Sequence, residues 1–420
     1  MKNYDEKLPS KFDKNAQYYK FCAYGFLKNL KFYEPFLILF FLEKGITFLQ
    51  IGVLYAIREI LINIFEIPSG LAADTFGRRR SMAFSLIAYI FSFTTFFFSH
   101  NFWILILAMF FYAVGDAFRT GTHKAMIFVY LKENNISHLR AAYYGATRSC
   151  SQIGSALSAL IAAFLVFTSG SYRYIFLFTI IPYVIDLFLI LSYPKSLDHV
   201  DKEDDQTVLS LFKTQIVSLV KSFRNMTLVK AIGNQALYSG YYKAVKDYIQ
   251  PMITSLAVAT TLFSIESEKQ KVALVTAVVY GILYILTSIV SRRSAAVSSV
   301  FSSKQKALNV YLFTGALLGI SSTLLYYRNI PLVSILLFFG IYIIENLRKP
   351  VGIDYLTSLM KSEVLASSLS VESQSETLFA VLFSLLIGLF SSLFSIEIAL
   401  ICVSILMFFL SFVFRVKAEK

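Results

Sequence analysis

Long apolar stretches separated by short polar ones run the whole length of this chain, which is the pattern of a succession of membrane-crossing helices. About twelve such stretches fall near 21–42, 48–71, 82–99, 102–130, 143–167, 173–193, 228–258, 272–290, 307–327, 332–358, 366–392 and 394–414. Each has about 18 residues or more, enough for a helix to cross a hydrocarbon core of roughly 30 Å. The longest polar interval, 194–227, separates two sets of six. It opens on Asp198, Asp201, Glu203, Asp204 and Asp205 and continues with Leu209, Phe212, Ile216, Leu219, Val220 and Phe223 at helical spacing. That stripe predicts an amphipathic helix lying in the membrane interface. The expected organisation is a polar segment 1–20, a six-helix half 21–193, a linker 194–227, a second half 228–414 and a tail 415–420.

Composition agrees with a chain built for lipid. Hydrophobic residues make up 56% of the 420 and charged residues 15%, with 41 Phe, whereas soluble domains carry roughly 25% charged residues. The net charge of +13 raises the question of nucleic acid, but its distribution answers it. One set of loops holds Arg78, Arg79, Arg80, Lys132, Arg140, Lys195, Lys202, Arg292, Arg293, Lys304 and Lys306, while the other holds only Lys44, Arg173, Lys269, Lys271 and Arg328. The excess of positive charge marks the cytoplasmic side. Both termini are then expected in the cytoplasm, in a multi-pass protein of the plasma (inner) membrane with no nucleic-acid partner. The first twenty residues have no apolar core or small-residue cleavage site, so no cleaved signal is expected.

Little else in the chain suggests chemistry. Cys22, Cys150 and Cys402 fall in separate spans, and His100, His123, His138 and His199 are scattered without ligand spacing, so neither a disulfide framework nor a metal site is expected. No phosphate-cradling Gly-x-x-x-x-Gly-Lys loop is present. The expectation is no cofactor, no metal and no enzymatic activity.

The most specific motif lies between the second and third spans: Gly70-Leu-Ala-Ala-Asp74-Thr-Phe-Gly77-Arg78-Arg79-Arg80. Such a short basic turn joins two helices tightly on the cytoplasmic side. It resembles the loop that the major facilitator superfamily places between its second and third helices, with Gly70, Asp74, Gly77, Arg78 and Arg79 matching. Ala72 and Thr75 depart from the usual Leu and basic residue. The resemblance implies an all-α membrane protein of twelve helices in two pseudo-symmetric halves, and a gating role for those five residues. Asp74 would also serve as a cap for the following helix.

Internal repetition supports two halves. Gly25, Lys28, Lys31 and Tyr33 recur as Gly240, Lys243, Lys246 and Tyr248, and Asp116-x-x-Arg119 is echoed by Glu345-x-x-Arg348. Arg78 and Arg79 leave a trace at Arg292 and Arg293. These charges sit near the middles of the first, fourth, seventh and tenth spans. A charge at a helix centre costs about 2.5–3.5 kcal/mol on insertion scales, so such groups face a polar interior. By resemblance, those four helices surround a central cavity. Lys28, Lys31, Arg119, Lys243, Lys246 and Arg348 are therefore candidate solute-binding cations, since unpaired cations in a low-dielectric cavity invite an anion. Glu34, Asp116, Asp247 and Glu345 are candidates for coupling or for ion pairs. A second reading makes all ten residues a structural ion-pair scaffold. Among the carboxylates, Glu34 and Asp116 are the foremost coupling candidates. The antiporter run of the family in the fifth helix is absent: the segment reads Gly145-Ala-Thr-Arg148-Ser-Cys150-Ser-Gln-Ile-Gly154, without proline.

The expected function is a secondary active transporter working by alternating access, for a small anionic or amphiphilic organic solute with protons as candidate coupling ions. Its expected partners are that solute and membrane lipids, and a monomer is expected. Two alternatives stand beside it: a polyspecific exporter of amphiphiles, and a lipid scramblase or non-transporting membrane sensor.

Overall fold

The computed structural model describes residues 14–198, 226–260, 267–359 and 365–417, and among these there is helix and no strand. The expected interfacial helix of the linker lies outside the described residues. In the first half the helices are α1 (Ala16–Leu27), α2 (Leu37–Glu43), α3 (Phe48–Phe76), α4 (Arg78–Phe98), α5 (Phe102–Arg119), α6 (Thr122–Glu133), α7 (Arg140–Ser169) and α8 (Tyr174–Leu191). The second half has α9 (Met226–Val245), α10 (Ile249–Ala259), α11 (Glu268–Ser298), α12 (Lys304–Tyr327), α13 (Pro331–Ser358), α14 (Leu365–Leu393) and α15 (Ile396–Val413). Among the described residues, 10 stretches are long and apolar enough to cross a membrane, α5 and α6 counting as one.

The first and seventh expected spans differ most from the expectation. Each is broken into two helices by a short 3-10 turn, Glu34–Phe36 between α1 and α2 and Lys246–Tyr248 between α9 and α10. The sequence reading took both as unbroken, because the apolar run continues through the break. Pro35 supplies the physical reason in the first copy, since it has no N–H to continue a helical ladder. Broken backbone inside a membrane needs partners from neighbouring elements. The Tyr183 hydroxyl donates to the Lys28 carbonyl at 3.2 Å, and the Tyr342 hydroxyl donates to the Lys246 carbonyl at 2.7 Å. The fourth span is also interrupted, at Gly121, whose φ is +81°, so that Arg119 ends α5.

The basic turn is tighter than the sequence implies. α3 continues through Asp74 to Phe76, α4 begins at Arg78, and Gly77 alone separates them with φ +98°. Gly70 and Asp74 are therefore helical rather than part of a loop.

Within the first half α4 packs against α5 and α8, α3 against α5, and α1 against α7. In the second half α9 packs on α14 and α13, and α12 on α13 and α15. Small residues allow these approaches: a Cβ on Gly25 would lie 2.7 Å from the Thr147 carbonyl oxygen in α7, and one on its repeat partner Gly240 would lie 2.8 Å from that of Glu376 in α14. The first span thus meets the fifth as the seventh meets the eleventh. Between halves, α3 packs on α14, α7 on α11 and α2 on α10. Large apolar side chains such as Phe91, Phe164, Phe188 and Phe409 are exposed, as expected for surfaces that face lipid rather than water.

Candidate functional site

Hydrogen bonds locate the two ends of the molecule. Lys20 donates to the Ser192 carbonyl at 2.8 Å and Arg79 to the Tyr193 carbonyl at 2.9 Å. The start of α1, the end of α8 and the basic turn therefore share one face. At the opposite face Glu43 at the end of α2 pairs with Lys269 at the start of α11, and Gln270 donates to the Phe167 carbonyl at 3.1 Å. Both contacts join the two halves.

A cavity of about 400 Å³ lies in the first half, between the break of the first span, the Gly121 interruption and the early part of α7. Its lining residues sit between the basic-turn face and the breaks, and those exposed, Thr120, Gly121, Lys124 and Arg148, mark its mouth. Four cations line it, Lys28, Arg119, Lys124 and Arg148, and among the described residues no carboxylate does. Lys28 caps α1, with its ammonium 5.5 Å from the centre of the Tyr24 ring. Tyr24 stacks on His123 at 3.8 Å between ring centres. Asn29, Thr147, Ser151 and Gln152 complete the polar wall.

Arg119 is fixed in place. Its guanidinium lies 2.5 Å from Asp116 Oδ1 and donates to the Tyr89 hydroxyl at 3.2 Å, while that hydroxyl donates to Asp116 Oδ1 at 2.6 Å. The charge of Asp116 is thereby directed at one cation. Lys28 and Lys31 have no ion pair within 4.0 Å among the described residues. The first half thus leaves its lysines open.

The equivalent residues of the second half are engaged across the interface. Lys243 lies 3.2 Å from Glu59 Oε2 in α3 and 3.0 Å from Glu376 Oε1 in α14. Lys246 lies 3.2 Å from Glu34 Oε1, and the Tyr55 hydroxyl of α3 donates to Asp247 Oδ2 at 3.0 Å. Gln250 fastens the same seam, accepting from the Ile38 N–H at 2.8 Å and donating to the Glu34 carbonyl at 2.9 Å.

The fourth-span echo diverges further. Arg348 is fully buried and donates to the Asn234 side-chain oxygen at 2.6 Å and the Gln235 carbonyl at 3.2 Å. It ties α13 to α9 and does not reach the cavity. Glu345 accepts from Ser239 at 3.0 Å and lies 3.7 Å from Lys349. The expected Glu345–Arg348 pair is thus absent among the described residues, because each side chain points to a different neighbour.

In the basic turn, Arg78 lies 3.7 Å from Asp74. Arg79 is bound by Asp198, which accepts its backbone N–H at 2.7 Å and pairs with its guanidinium at 3.2 Å. The carboxylate that accepts from the first turn of α4 is Asp198, just beyond the first half, and not Asp74, since Asp74 is still inside α3.

Of the ten candidate residues, the structure brings Lys28 and Arg119 into the cavity wall, with Lys31 and Asp116 beside them. It assembles Glu34, Lys243, Lys246 and Asp247 at the interface of the halves. Sequence reasoning did not select the fifth-span wall of Thr147, Ser151 and Gln152, nor Glu59 and Glu376 as partners of Lys243. The small residues Ser151 and Gly154 were visible signals that α7 is closely packed.

The Major Facilitator Superfamily profile matches residues 29–371. An uncharacterised MFS-type transporter of Bacillus subtilis (strain 168), YxaM, is 36% identical over 104 residues, which are 24% of this chain and 26% of that relative. The match therefore spans about a quarter of the relative's length. A solved mutant of the nucleoside transporter NupG shares the fold with a TM-score of 0.75 at 12% identity, over 94% of this chain and 98% of that one. A mutant of the peptide transporter POT in complex with sulfate gives 0.71 at 13%, over 95% and 93%.

Proposed function

We propose that this chain, which belongs to the Major Facilitator Superfamily of membrane transporters, is a secondary transporter that carries a small organic anion held in the basic cavity of its first half. One observation carries the reading: four cations and no carboxylate line the cavity among the described residues, while the matching lysines of the second half are already paired. Lys28, which has no ion pair within 4.0 Å among the described residues, favours an anionic ligand in a site of low dielectric, and Arg119, held rigidly by Asp116, adds donors suited to a carboxylate or phosphate.

The rest of the cycle follows from where the halves touch. Under the positive-inside rule the basic-turn face is cytoplasmic, as are both termini, and the division into halves at 21–193 and 228–414 sets the moving bodies. The seam at Glu34–Lys246, Tyr55–Asp247 and Glu43–Lys269 then closes the outer side while the cavity mouth opens inward. Opening outward requires those pairs to separate, and Asp74 and Arg78 become available to the second half as the inner side closes. Glu34 exchanges its partner in each cycle, which makes it the carboxylate best placed to couple transport to an ion. Charged and polar side chains make up most of the lining residues among the described residues, so the cavity suits a charged, polar solute better than a purely apolar one.

A thermal-shift screen of anionic, neutral and cationic metabolites on detergent-purified protein tests the reading. A ligand at 100 times its dissociation constant adds ~2.7 kcal/mol of stability. Anionic hits whose shift disappears in Lys28→Gln are expected. Hits confined to neutral or cationic compounds, unchanged by Lys28→Gln, would overturn it.

A further inference from the structure

We propose that the anion carried in this cavity is polyhydroxylated, of the class of sugar phosphates and sugar acids, rather than an alkyl phosphate or an apolar carboxylate. This rests on the anion-transporter reading above and names the chemistry of the same site.

Two kinds of hydrogen-bonding group line the wall. The first demands an acceptor. Tyr24 is 1% exposed, and its hydroxyl is buried without a hydrogen-bond partner among the described residues. The stacked His123 holds the ring in place. A buried hydroxyl without a partner is costly, and with Lys28 and Arg119 in the same wall it forms a set of donors suited to an oxyanion.

The second kind demands donors. Asn29 commits one of its two amide N–H groups to the Gly25 carbonyl at 2.7 Å, so its Oδ1 remains as an acceptor beside one further donor. Ser151 commits its hydroxyl proton to the Thr147 carbonyl at 3.0 Å, so its oxygen likewise remains an acceptor. Gln152 adds an amide with both functions to the same wall. A bare anion offers only acceptors and makes no use of the Asn29 and Ser151 oxygens. Hydroxyl groups on the ligand supply the missing donors, and they also replace the water that the wall loses on binding. The cavity of about 400 Å³ is within the range of roughly 300–1,000 Å³ usual for small-molecule sites.

The test measures melting temperatures of the full purified chain with glucose phosphate, gluconate, butyl phosphate and glucose, each titrated separately. Stabilisation by glucose phosphate, by gluconate or by both is expected, with clearly weaker effects of butyl phosphate and glucose; which of the two anions dominates separates phosphate from carboxylate. Asn29→Ala should narrow the preference for glucose phosphate over butyl phosphate by about tenfold, while Lys28→Gln weakens both alike. Ser151→Ala, which removes no bond to another helix, provides the same comparison if Asn29→Ala does not fold. Butyl phosphate binding as tightly as glucose phosphate, with gluconate no better, would overturn the polyol proposal and leave the anion reading intact. Glucose binding as tightly as the two hydroxylated anions would overturn the anion reading itself. Failure of both hydroxylated anions to bind would overturn the polyol proposal.

Discussion

Lys246 and Glu34 form an ion pair of 3.2 Å between the breaks of the seventh and first spans, although Lys31, which occupies the place of Lys246 in the other copy of the repeat, has no such partner among the described residues. The repeat therefore gives one lysine to the seam and leaves the other beside the cavity.

Neutralising either member of that pair should loosen the outer seam. In Lys246→Gln, a cysteine introduced at Ile38 should react with an external thiol reagent about tenfold faster, since removing one partner leaves a partly buried charge unmatched. Adding Glu34→Gln to Lys246→Gln should return stability toward that of the parent. An unchanged labelling rate in well-folded Lys246→Gln would remove the seam role.

Lys28 and Lys243 should behave differently despite matching positions in the repeat. Lys28→Gln is expected to weaken anion binding by about 10- to 100-fold through loss of a charge-assisted contact, with a melting temperature close to the parent's. Lys243→Gln is expected to lower the melting temperature, because Glu59 and Glu376 then face each other without their shared cation. Equal loss of affinity with unchanged stability in both variants would contradict the assignment.

Gly77→Val should reduce folding yield and thermal stability. The backbone there has φ +98°, which a β-branched residue adopts only at a cost of roughly 1–3 kcal/mol. Its Cβ would also lie 2.9 Å from Asp198 Oδ1. Adding Asp198→Ala removes the clashing carboxylate but not the backbone strain, so it should rescue little; normal yield of Gly77→Val would show that the turn tolerates another path.

Topology gives an independent check. A cysteine at Lys304 should be labelled only from the cytoplasmic side and one at Lys269 only from outside. Labelling of both from one side would break the proposed orientation.

The apolar pattern made the all-helical, membrane-spanning character and the order of the stretches legible, and the two segments that carry the repeated Gly-x-x-Lys-x-x-Lys motif are the first and seventh, which break. The breaks themselves were hidden, because a hydropathy pattern does not distinguish continuous helix from a 3-10 turn; Pro35 was the available sign. Asp116–Arg119 could be read as a pair from spacing alone, being on one helix face. The partners of Lys243 could not, because Glu59 and Glu376 come from helices remote in sequence. Arg348 had the same spacing from Glu345, but Asn234 and Gln235 of α9 outcompeted it, and only packing decides that. The cavity wall from α7 was missed because Thr147, Ser151 and Gln152 are uncharged and resemble ordinary helix-packing polar residues.

The unequal pairing of the repeated lysines has an evolutionary consequence. If the halves descend from one duplicated unit, the same two basic positions now answer to different selection pressures. Under the proposed function, substitutions around Lys28 would change the cargo while the hinge chemistry stays intact, and substitutions around Lys246 would change the pace of the cycle for an unaltered cargo. Related chains should therefore diverge in the first-half wall when their solutes differ, and in the second-half lysines and their acids only together, as matched sets.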